Sequence, residues 1–210
     1  MGQYTTKGLY NAYDKNNKER DALDYYATPT KEVYNILNQL NINFNNCIIL
    51  EPCVGGGHMA EGIDQYLENI NAFNVSTIGT DIKDRGYTNI GWELNYGLDF
   101  FGDDYPNYEP DWIIMNPPYS VIEPFTIRAL EMADKGVIML ARLQFLEGSG
   151  RYNQILKDNP PTDVYVYIDR IQCWKNGVQP TGSSAQAYAW FIWDKSKKNQ
   201  KTTMNWIHRA

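Results

Sequence analysis

The sequence Asp-Trp-Ile-Ile-Met-Asn-Pro-Pro-Tyr, residues 111–119, decides the fold because an apolar run stops there at two prolines. The apolar run predicts a buried strand, and proline cannot continue the hydrogen-bond ladder of a sheet. Pro118 keeps Pro117 extended, and Pro117 does the same to Asn116, so the chain leaves the strand in a rigid form. The side-chain oxygen of Asn116 and the carbonyl of Pro117 can then accept hydrogen bonds from a planar NH2 group, and Tyr119 offers a ring for stacking.

The same residues also suit an ordinary turn after a strand, since Asn and Pro are frequent in turns. A match of four residues has an appreciable rate of chance occurrence. Both interpretations stay open on this stretch alone, and the rest of the chain has to decide between them.

A second stretch places a strand, a glycine turn and a helix in direct succession. Residues 47–51 form an apolar run that ends at Glu51. Pro52 and two further residues then lead into Gly55, Gly56 and Gly57, and a helix is predicted from about residue 58. This order is typical of nucleotide-cofactor sites. Glycine lets the backbone approach a ligand closely, and a helix amino terminus supplies free N–H groups with a partial positive charge.

An acidic residue closes the next predicted strand, residues 76–82, at the position where such sites bind a ribose. Asp81 lies 24 residues after Gly57, so its carboxylate is suited to the ribose hydroxyls and Ile82 to the face of the base. The alternative is that Asp81 only caps a turn. Further along, Asp99 and Phe100 suit an adenine edge, although by themselves they are more typical of a turn with core aromatics.

The remaining pattern predicts an α/β fold. Thr28 is predicted as the N-cap and Pro29 as the first residue of an amphipathic helix. Strands and helices alternate over most of the chain, which favours a mostly parallel sheet with helices on both faces. No helix separates the last two strands, so we expect an antiparallel edge. The seven predicted strands are residues 47–51, 76–82, 89–92, 111–115, 136–142, 164–168 and 187–193.

We expect one domain, residues 24–194, between an N-terminal arm and a basic tail. Residues 1–23 have no sustained period, and we interpret them as a flexible arm. Residues 195–210 contain five basic residues and no acidic one, whereas the whole chain carries a net charge of −6. A basic end on an acidic body indicates either a nucleic-acid contact or a solvated terminal face.

The cysteine and histidine content argues against disulfide and metal chemistry. Cys47, Cys53 and Cys173 are an odd number without C-x-x-C spacing, and only two histidines accompany them, so we expect reduced thiols and no metal site. The polar N-terminus and the lack of a long apolar run predict a cytoplasmic protein without a membrane span.

These motifs, in this order, resemble those of the S-adenosylmethionine-dependent N6-adenine DNA methyltransferases, especially the small phage-type enzymes. The resemblance covers roughly residues 24–194 and rests on ordered co-occurrence, which is more specific than any single motif. It implies a Rossmann-like class I methyltransferase fold, S-adenosylmethionine as cofactor, and adenine in double- or single-stranded DNA as substrate. The motifs are Thr28-Pro29, Glu51 to Gly57, Asp81, Asp99-Phe100 and Asn116-Pro117-Pro118-Tyr119.

The resemblance also implies a role for each motif residue. Thr28 and its neighbours Tyr26 and Pro29 would bind the methionine carboxylate, and Glu51 the ammonium. The segment from Pro52 through Gly55 and Gly57 would underlie the cofactor, Asp81 and Ile82 would hold its ribose and base, and Asp99 with Phe100 its adenine. Asn116, Pro117, Pro118 and Tyr119 would hold the target base, and Asn116 would also contact the cofactor. Trp174 and Lys175 are candidates for further contacts to the substrate.

Two departures and two rival interpretations remain. No separate target-recognition domain is predicted, and the acidic body is unusual for a duplex binder. An NPPY motif also resembles those of protein-glutamine N5 and RNA N6-adenine methyltransferases, because each substrate presents a planar NH2 group. A non-enzymatic acidic protein that mimics DNA is the alternative from another class, although it would not need cofactor residues.

Overall fold

The computed structural model describes residues 25–182, 186–197 and 200–210. The predicted arm, residues 1–23, lies outside the described residues. Ten strands are assigned within the described part of the chain, and most of the strand boundaries agree with the sequence pattern to within one or two residues. The strands are β1 Tyr26–Ala27, β2 Ile48–Glu51, β3 Ser76–Asp81, β4 Trp92–Tyr96, β5 Trp112–Met115, β6 Gly136–Arg142, β7 Asp163–Tyr167, β8 Trp174–Lys175, β9 Tyr188–Asp194 and β10 Thr203–Ile207.

Three amphipathic helices pack against the main sheet. They are α1 Thr30–Leu40, α2 His58–Asn69 and α3 Ile122–Met132. A short helical segment at Ser149–Arg151 continues as a wider π turn over Tyr152–Leu156. None of the helices in the described residues has the length and apolar character needed to cross a membrane.

Eight strands form the central sheet, in the order β10-β7-β9-β6-β5-β2-β3-β4. All neighbouring strands are parallel except β9, which runs antiparallel to both β6 and β7. This confirms the predicted α/β class with a mostly parallel sheet. Two details differ from the prediction. The sheet has eight strands, because β10 adds a strand beside β7, and the antiparallel strand lies inside the sheet, because β9 runs between β6 and β7.

The two faces of the sheet bury separate cores, as expected when successive residues of a strand point to opposite sides. In β5, Trp112 and Ile114 pack into the core that α1 and α2 cover. Ile113 and Met115 pack into the core that α3 covers. Helices therefore lie on both faces of the sheet, and a sheet covered in this way has continuous apolar strands.

The start of α1 differs from the prediction by one or two residues. The helix begins at Thr30, Pro29 precedes it as the capping residue, and no side chain caps this end. The predicted N-cap, Thr28, instead uses its hydroxyl to accept a hydrogen bond from Asn116. Pro29 is buried, and its carbonyl accepts from the Glu32 N–H at 2.9 Å.

The segment predicted as a basic tail contributes a strand to the sheet. Thr203–Ile207 pairs in parallel register with Asp163–Tyr167, and Ile207 is only 5% exposed. Lys197 also forms an ion pair with Asp163 at 3.0 Å. The last strand was missed because the lysines around it dominate the composition of a short and largely polar segment.

The place of β10 in the sheet can be tested by truncating one of its buried side chains. Ile207→Ala should lower the free energy of unfolding by about 2–5 kcal/mol, because it removes buried methylene groups. Met204→Ala is the matched control in the same strand, and since Met204 is 45% exposed, it should cost less than about 1 kcal/mol. Urea denaturation measures both changes. A similarly small loss for Ile207→Ala would contradict the strand.

Candidate active site

Three parallel strands end at one edge of the sheet and bring the predicted acidic and amide residues together. Glu51 ends β2, Asp81 ends β3, and Asn116 directly follows β5. Ligands of open α/β sheets bind outside the carboxyl ends of the strands. A cleft runs along this edge in two connected parts. One part is lined by residues that include Pro52, Asp81, Ile82, Asp99, Phe100, Asn116 and Pro118, and the other by residues that include Tyr26, Thr28, Glu51, His58 and Asn116.

The amide of Asn116 has a fixed orientation. Its Nδ2 donates to the carbonyl of Tyr26 at 2.8 Å and to Oγ1 of Thr28 at 3.1 Å. A backbone carbonyl only accepts hydrogen bonds, so the amide nitrogen must face β1. Oδ1 of Asn116 is buried and has no partner among the described residues. The side chain therefore presents one acceptor that is ready for a donor from outside.

A two-stranded ribbon holds β1 in this position. Tyr26 lies opposite Lys175 and Ala27 opposite Trp174 in the antiparallel pair of β1 and β8. Directly opposed residues share a face of a ribbon, so exposed Lys175 lies on the same face as Tyr26. This side of the ribbon is the one that meets Tyr119, whose ring centroid is 5.6 Å from that of Tyr26.

Trp174 contacts a residue of the cleft that Asn116 lines but is not one of the lining residues. Its ring meets His58 edge-on at 5.4 Å and lines a different cleft with Pro29, Glu32 and other residues. A residue opposite Ala27 faces away from the Tyr26 side of the ribbon. Trp174 and Asn116 thus line different clefts, and a contact of Trp174 with the substrate stays a prediction.

Glu51 is a buried carboxylate with half of its hydrogen-bonding capacity unused. The residue is 2% exposed, the backbone N–H of Ala60 in the first turn of α2 donates to it, and Oε2 has no partner among the described residues. Burial raises the pKa of Glu51 well above its usual range, and the charge of Asp81 raises it further, while the Ala60 hydrogen bond acts in the opposite sense. The arrangement suits a cationic donor.

Asp81 supports the glycine turn as well as facing the cleft. Its Oδ2 accepts from the Gly55 N–H at 2.8 Å and its Oδ1 from the Lys83 N–H at 2.9 Å. Each oxygen keeps a second lone pair for a ligand hydroxyl. Burial raises the pKa of Asp81, and the two backbone hydrogen bonds lower it in part. The next residue, Ile82, is 62% exposed and lines the cleft.

The glycine turn adopts backbone conformations that favour glycine, with φ of 55° at Gly55 and 81° at Gly57. A Cβ at Gly55 would collide with the ring of Tyr25, and one at Gly57 with the ring of Tyr87. The Tyr25 hydroxyl accepts from the Gly56 N–H at 2.8 Å. We predicted that these glycines leave room for a ligand, and the structure gives part of that room to two tyrosine rings.

Asp99 and Phe100 line the far end of the cleft beside Pro52 and Ile82. Asp99 closes a tight turn by accepting from the Phe101 N–H through Oδ1 at 3.0 Å. Phe100 is 3% exposed and stacks on Phe125 at 4.8 Å. The residues thus form a turn with core aromatics and also border the cleft, and their contact with an adenine stays a prediction.

The ring of Tyr119 is not an open stacking surface. The guanidinium of Arg142 lies 4.4 Å from its ring centroid, the Tyr26 ring lies against it, and its hydroxyl is 3.4 Å from that of Tyr188. Burial raises the pKa of Tyr119 well above its usual range. A base that stacks on Tyr119 in the way the sequence predicted has to displace one of these neighbours, and Nε of Arg142 has no partner that holds it in place among the described residues.

Sequence reasoning missed several residues of the cleft. Tyr25 and Arg85 line it, with the Arg85 guanidinium 4.2 Å from the Tyr25 ring centroid. Cys53, a free thiol, donates to the Asn116 carbonyl at 3.5 Å, and burial raises its pKa well above the usual range. Cys53 lies next to a motif, but nothing in the sequence pairs Tyr25 or Arg85 with the cleft.

Basic residues of the C-terminal half differ in their availability. Arg151 forms an ion pair with Glu123 at 2.6 Å and donates to the carbonyls of Gln144 and Glu147. Lys197 is paired with Asp163. These two cations stabilise the fold, and Lys175 is exposed beside the candidate site.

Comparison with solved structures shows which fold carries this cleft. The chain matches the methyltransferase subunit of a type I restriction-modification system from Streptococcus thermophilus with a TM-score of 0.62 and 14% identity, over 87% of this chain and 47% of that one. It matches a protein from Listeria monocytogenes described as a class I S-adenosylmethionine-dependent methyltransferase with a TM-score of 0.60 and 14% identity, over 97% and 72% of the two chains.

A third match is a protein from Pyrococcus horikoshii described as an RNA methyltransferase, with a TM-score of 0.58 and 16% identity over 90% of this chain and 97% of that one. The chain spans about half the length of the Streptococcus subunit. No protein-family model and no curated protein sequence matches it. The fold is therefore that of the class I S-adenosylmethionine-dependent methyltransferases, with Glu51, Asp81 and Asn116 at the carboxyl edge of its sheet.

The buried carboxylate of Glu51 predicts a specific dependence of stability on pH. Because its pKa is raised in the folded protein, the folded state binds this proton more tightly than the unfolded chain. Stability must then fall as the pH rises above the ordinary glutamate pKa of about 4.3 and towards the folded value. Glu51→Gln removes this loss, so it should flatten the decline in melting temperature between about pH 5 and pH 8 and be more stable than the parent at the upper end.

Glu61→Gln is the matched control, since Glu61 is an exposed glutamate of α2, the helix whose first turn donates to Glu51, and its melting curve should follow the parent at each pH. Asp81 is present in both proteins, so the difference between parent and Glu51→Gln reports on the Glu51 carboxylate and its interaction with Asp81. An unchanged pH dependence in Glu51→Gln would show that Glu51 ionises freely.

Proposed function

We propose that this chain transfers a methyl group from S-adenosylmethionine to the N6 amino group of adenine in DNA. The observation that carries the proposal is the free acceptor of Asn116. Its Nδ2 donates to the carbonyl of Tyr26 and to the hydroxyl of Thr28. Its buried Oδ1 has no partner among the described residues. A buried acceptor without a donor costs about 1–3 kcal/mol, so its presence at the end of a central strand favours a ligand that brings an N–H.

The residues along the cleft fit S-adenosylmethionine. The unpaired Oε2 of buried Glu51 suits the ammonium of its methionine, and the spare lone pairs of Asp81 suit the ribose hydroxyls. Asp99 and Phe100 at the far end suit the adenine, with Ile82 exposed beside them. When bound, this cofactor supplies a methyl group activated by attachment to a sulfonium.

The Asn-Pro-Pro-Tyr segment orients the amino group to be methylated. The N6 lone pair of adenine is conjugated with the ring, so the nitrogen is a poor nucleophile until its hydrogens are held by acceptors. Oδ1 of Asn116 is one acceptor, and we assign the second to the carbonyl of Pro117. The carbonyls of Asn116 and Pro118 on either side accept from Cys53 and from the Val121 N–H. Positioning in a dry pocket then supplies most of the catalysis.

Arg142 and Tyr119 control entry of the base. In duplex DNA the target adenine has to leave the stack, which costs a few kcal/mol. Stacking on Tyr119 offsets part of that cost, but only after the Arg142 guanidinium has moved from the ring. A released guanidinium beside the site is suited to a phosphate of the same strand.

Adenine in DNA is favoured over the other substrates by the whole set of motifs. The Thr28-Pro29 opening is common to the nucleic-acid enzymes that the sequence resembles, and one structural neighbour is a subunit of a restriction-modification system. RNA N6-adenine is the second candidate, supported by the neighbour described as an RNA methyltransferase, and protein glutamine is the third. A DNA mimic would gain nothing from the unpaired buried oxygens of Glu51 and Asn116.

The substrate is identified by its product. The protein is incubated with S-adenosylmethionine carrying a labelled methyl group together with duplex DNA, single-stranded DNA, RNA and a protein extract, and each fraction is digested to its monomers. We expect the label in N6-methyladenine from DNA. Label in N6-methyladenine from RNA, or in N5-methylglutamine, would show that RNA or protein is the substrate instead. A lack of cofactor binding would contradict the proposed methyltransferase activity.

Asn116→Ala separates binding from chemistry in the same assay. At saturating cofactor the rate should fall by about two orders of magnitude, because the variant loses an acceptor that acts on the reacting nitrogen. Affinity for S-adenosylhomocysteine should fall much less, about tenfold at most, through loosening of β1. Asn95→Ala is the control outside the cleft and should keep the parent rate. An active Asn116→Ala would make Asn116 a turn residue only.

DNA binding should depend steeply on salt in spite of the acidic body. With about four to six phosphate contacts, log affinity for duplex should fall with log salt at a slope of about −4 to −5. Lys175→Gln should reduce the magnitude of that slope by about 1, since it removes one exposed cation beside Tyr26. Lys135→Gln is the control at the opposite edge of the sheet and should leave the slope unchanged. A DNA affinity that does not change with salt concentration, or equal effects of the two variants on the slope, would argue against DNA binding at the surface around Lys175.

A further inference from the structure

One end of the cleft contains a histidine that the motifs do not include. His58 is the first residue of α2 and lines the same part of the cleft as Thr28, Glu51 and Asn116. Its Nδ1 is buried and has no hydrogen-bond partner among the described residues. The Trp174 ring packs edge-on against the imidazole at 5.4 Å. The Trp174 ring thus packs against the imidazole, while Nδ1 makes no hydrogen bond to the described residues.

The chemistry of this end of the cleft calls for an anion beside a cation. Glu51 offers a buried unpaired carboxylate oxygen for an ammonium, and an amino acid carries a carboxylate one carbon away from that ammonium. The groups around it can donate hydrogen bonds. The Thr28 hydroxyl accepts from Asn116 and keeps its own hydrogen to donate.

His58 is the other side chain suited to that carboxylate. Among the described residues that line this part of the cleft, His58 is the one with a basic side chain. It also stands at the amino terminus of a helix of twelve residues, where the partial positive charge favours anions. The Ala60 N–H of the same turn already donates to Glu51. This end of the helix therefore lies beside Glu51, which suits the ammonium of an amino acid, and carries His58, which suits the carboxylate.

We infer that His58 binds the carboxylate at the amino-acid end of the cofactor, through Nδ1 and together with the Thr28 hydroxyl. This inference rests on the proposed function and adds a residue to it. Glu51 and His58 then recognise the two opposite charges of the amino acid. The pair lets the chain distinguish nucleosides that carry an amino acid from those that have lost one of its charged groups.

A cycle of two variants and two ligands tests this assignment by calorimetry, without any turnover. His58→Phe keeps a planar ring against Trp174 and removes the nitrogen, whereas His58→Asn retains a donor near the position of Nδ1. The ligands are S-adenosylhomocysteine and its analogue without the carboxylate. His58→Phe should weaken binding of S-adenosylhomocysteine by about tenfold or more, the usual effect of losing a hydrogen bond to a charged group.

The analogue without the carboxylate should bind the parent and His58→Phe equally, to within about twofold, and His58→Asn should recover most of the affinity for S-adenosylhomocysteine. Equal losses for both ligands would make His58 a packing residue and overturn the inference, as would an unchanged affinity in His58→Phe. Melting curves of both variants verify that they fold. Failure of the folded parent to bind either ligand would overturn the proposed function, and this result is distinct from the others.

Discussion

The two hydrogen bonds from the Asn116 amide, one to Tyr26 of β1 and one to Thr28 just after it, are the constraint on which the site depends. They join residues 88 and 90 positions apart in the chain and fix the side chain so that its oxygen faces the cleft. β1 is two residues long, and its strand partner among the described residues is β8, which is equally short. The Tyr119 ring and the hydrogen bond between Tyr25 and Gly56 also contact this segment, and the Asn116 amide joins it to the end of β5. The same amide group thus joins this segment to the sheet and positions the proposed acceptor beside the cleft that Glu51 lines.

The fold and the cleft edge were predictable because both follow from local patterns. Apolar runs of four to seven residues bounded by glycine and proline predict buried strands, and parallel strands bring their carboxyl ends to one edge. Glu51, Asp81 and Asn116 each end such a run, so their proximity follows from the sheet rather than from any contact between them. The structure brings them together there. Their roles toward a ligand remain predictions, since they depend on chemistry that the fold alone does not determine.

The parts that the sequence did not predict are those set by distant packing. Tyr25 and Tyr87 fill the space beside Gly55 and Gly57, and no periodicity links a tyrosine to a glycine more than 25 residues away. Arg142 ends β6 and reaches the Tyr119 ring from a neighbouring strand. The short strand β10 was hidden by its lysine-rich surroundings, and the side of the ribbon that Trp174 occupies depends on a register that two-residue strands do not encode. Such features require the assembled sheet before they can be inferred.

The cleft contains several buried polar atoms without hydrogen-bond partners among the described residues, and such atoms lower the stability of a folded protein. Oε2 of Glu51, Oδ1 of Asn116 and Nδ1 of His58 are buried without partners among the described residues, and the neighbouring charge of Asp81 makes the ionised form of Glu51 still less favourable. Natural sequences break the rule of paired polar groups mainly where function requires it. The three atoms differ in kind, since two accept hydrogen bonds and one can donate. They therefore suit a ligand that donates hydrogen bonds to Glu51 and Asn116 and presents an anionic group to His58. An apolar ligand would leave all three atoms without a hydrogen bond.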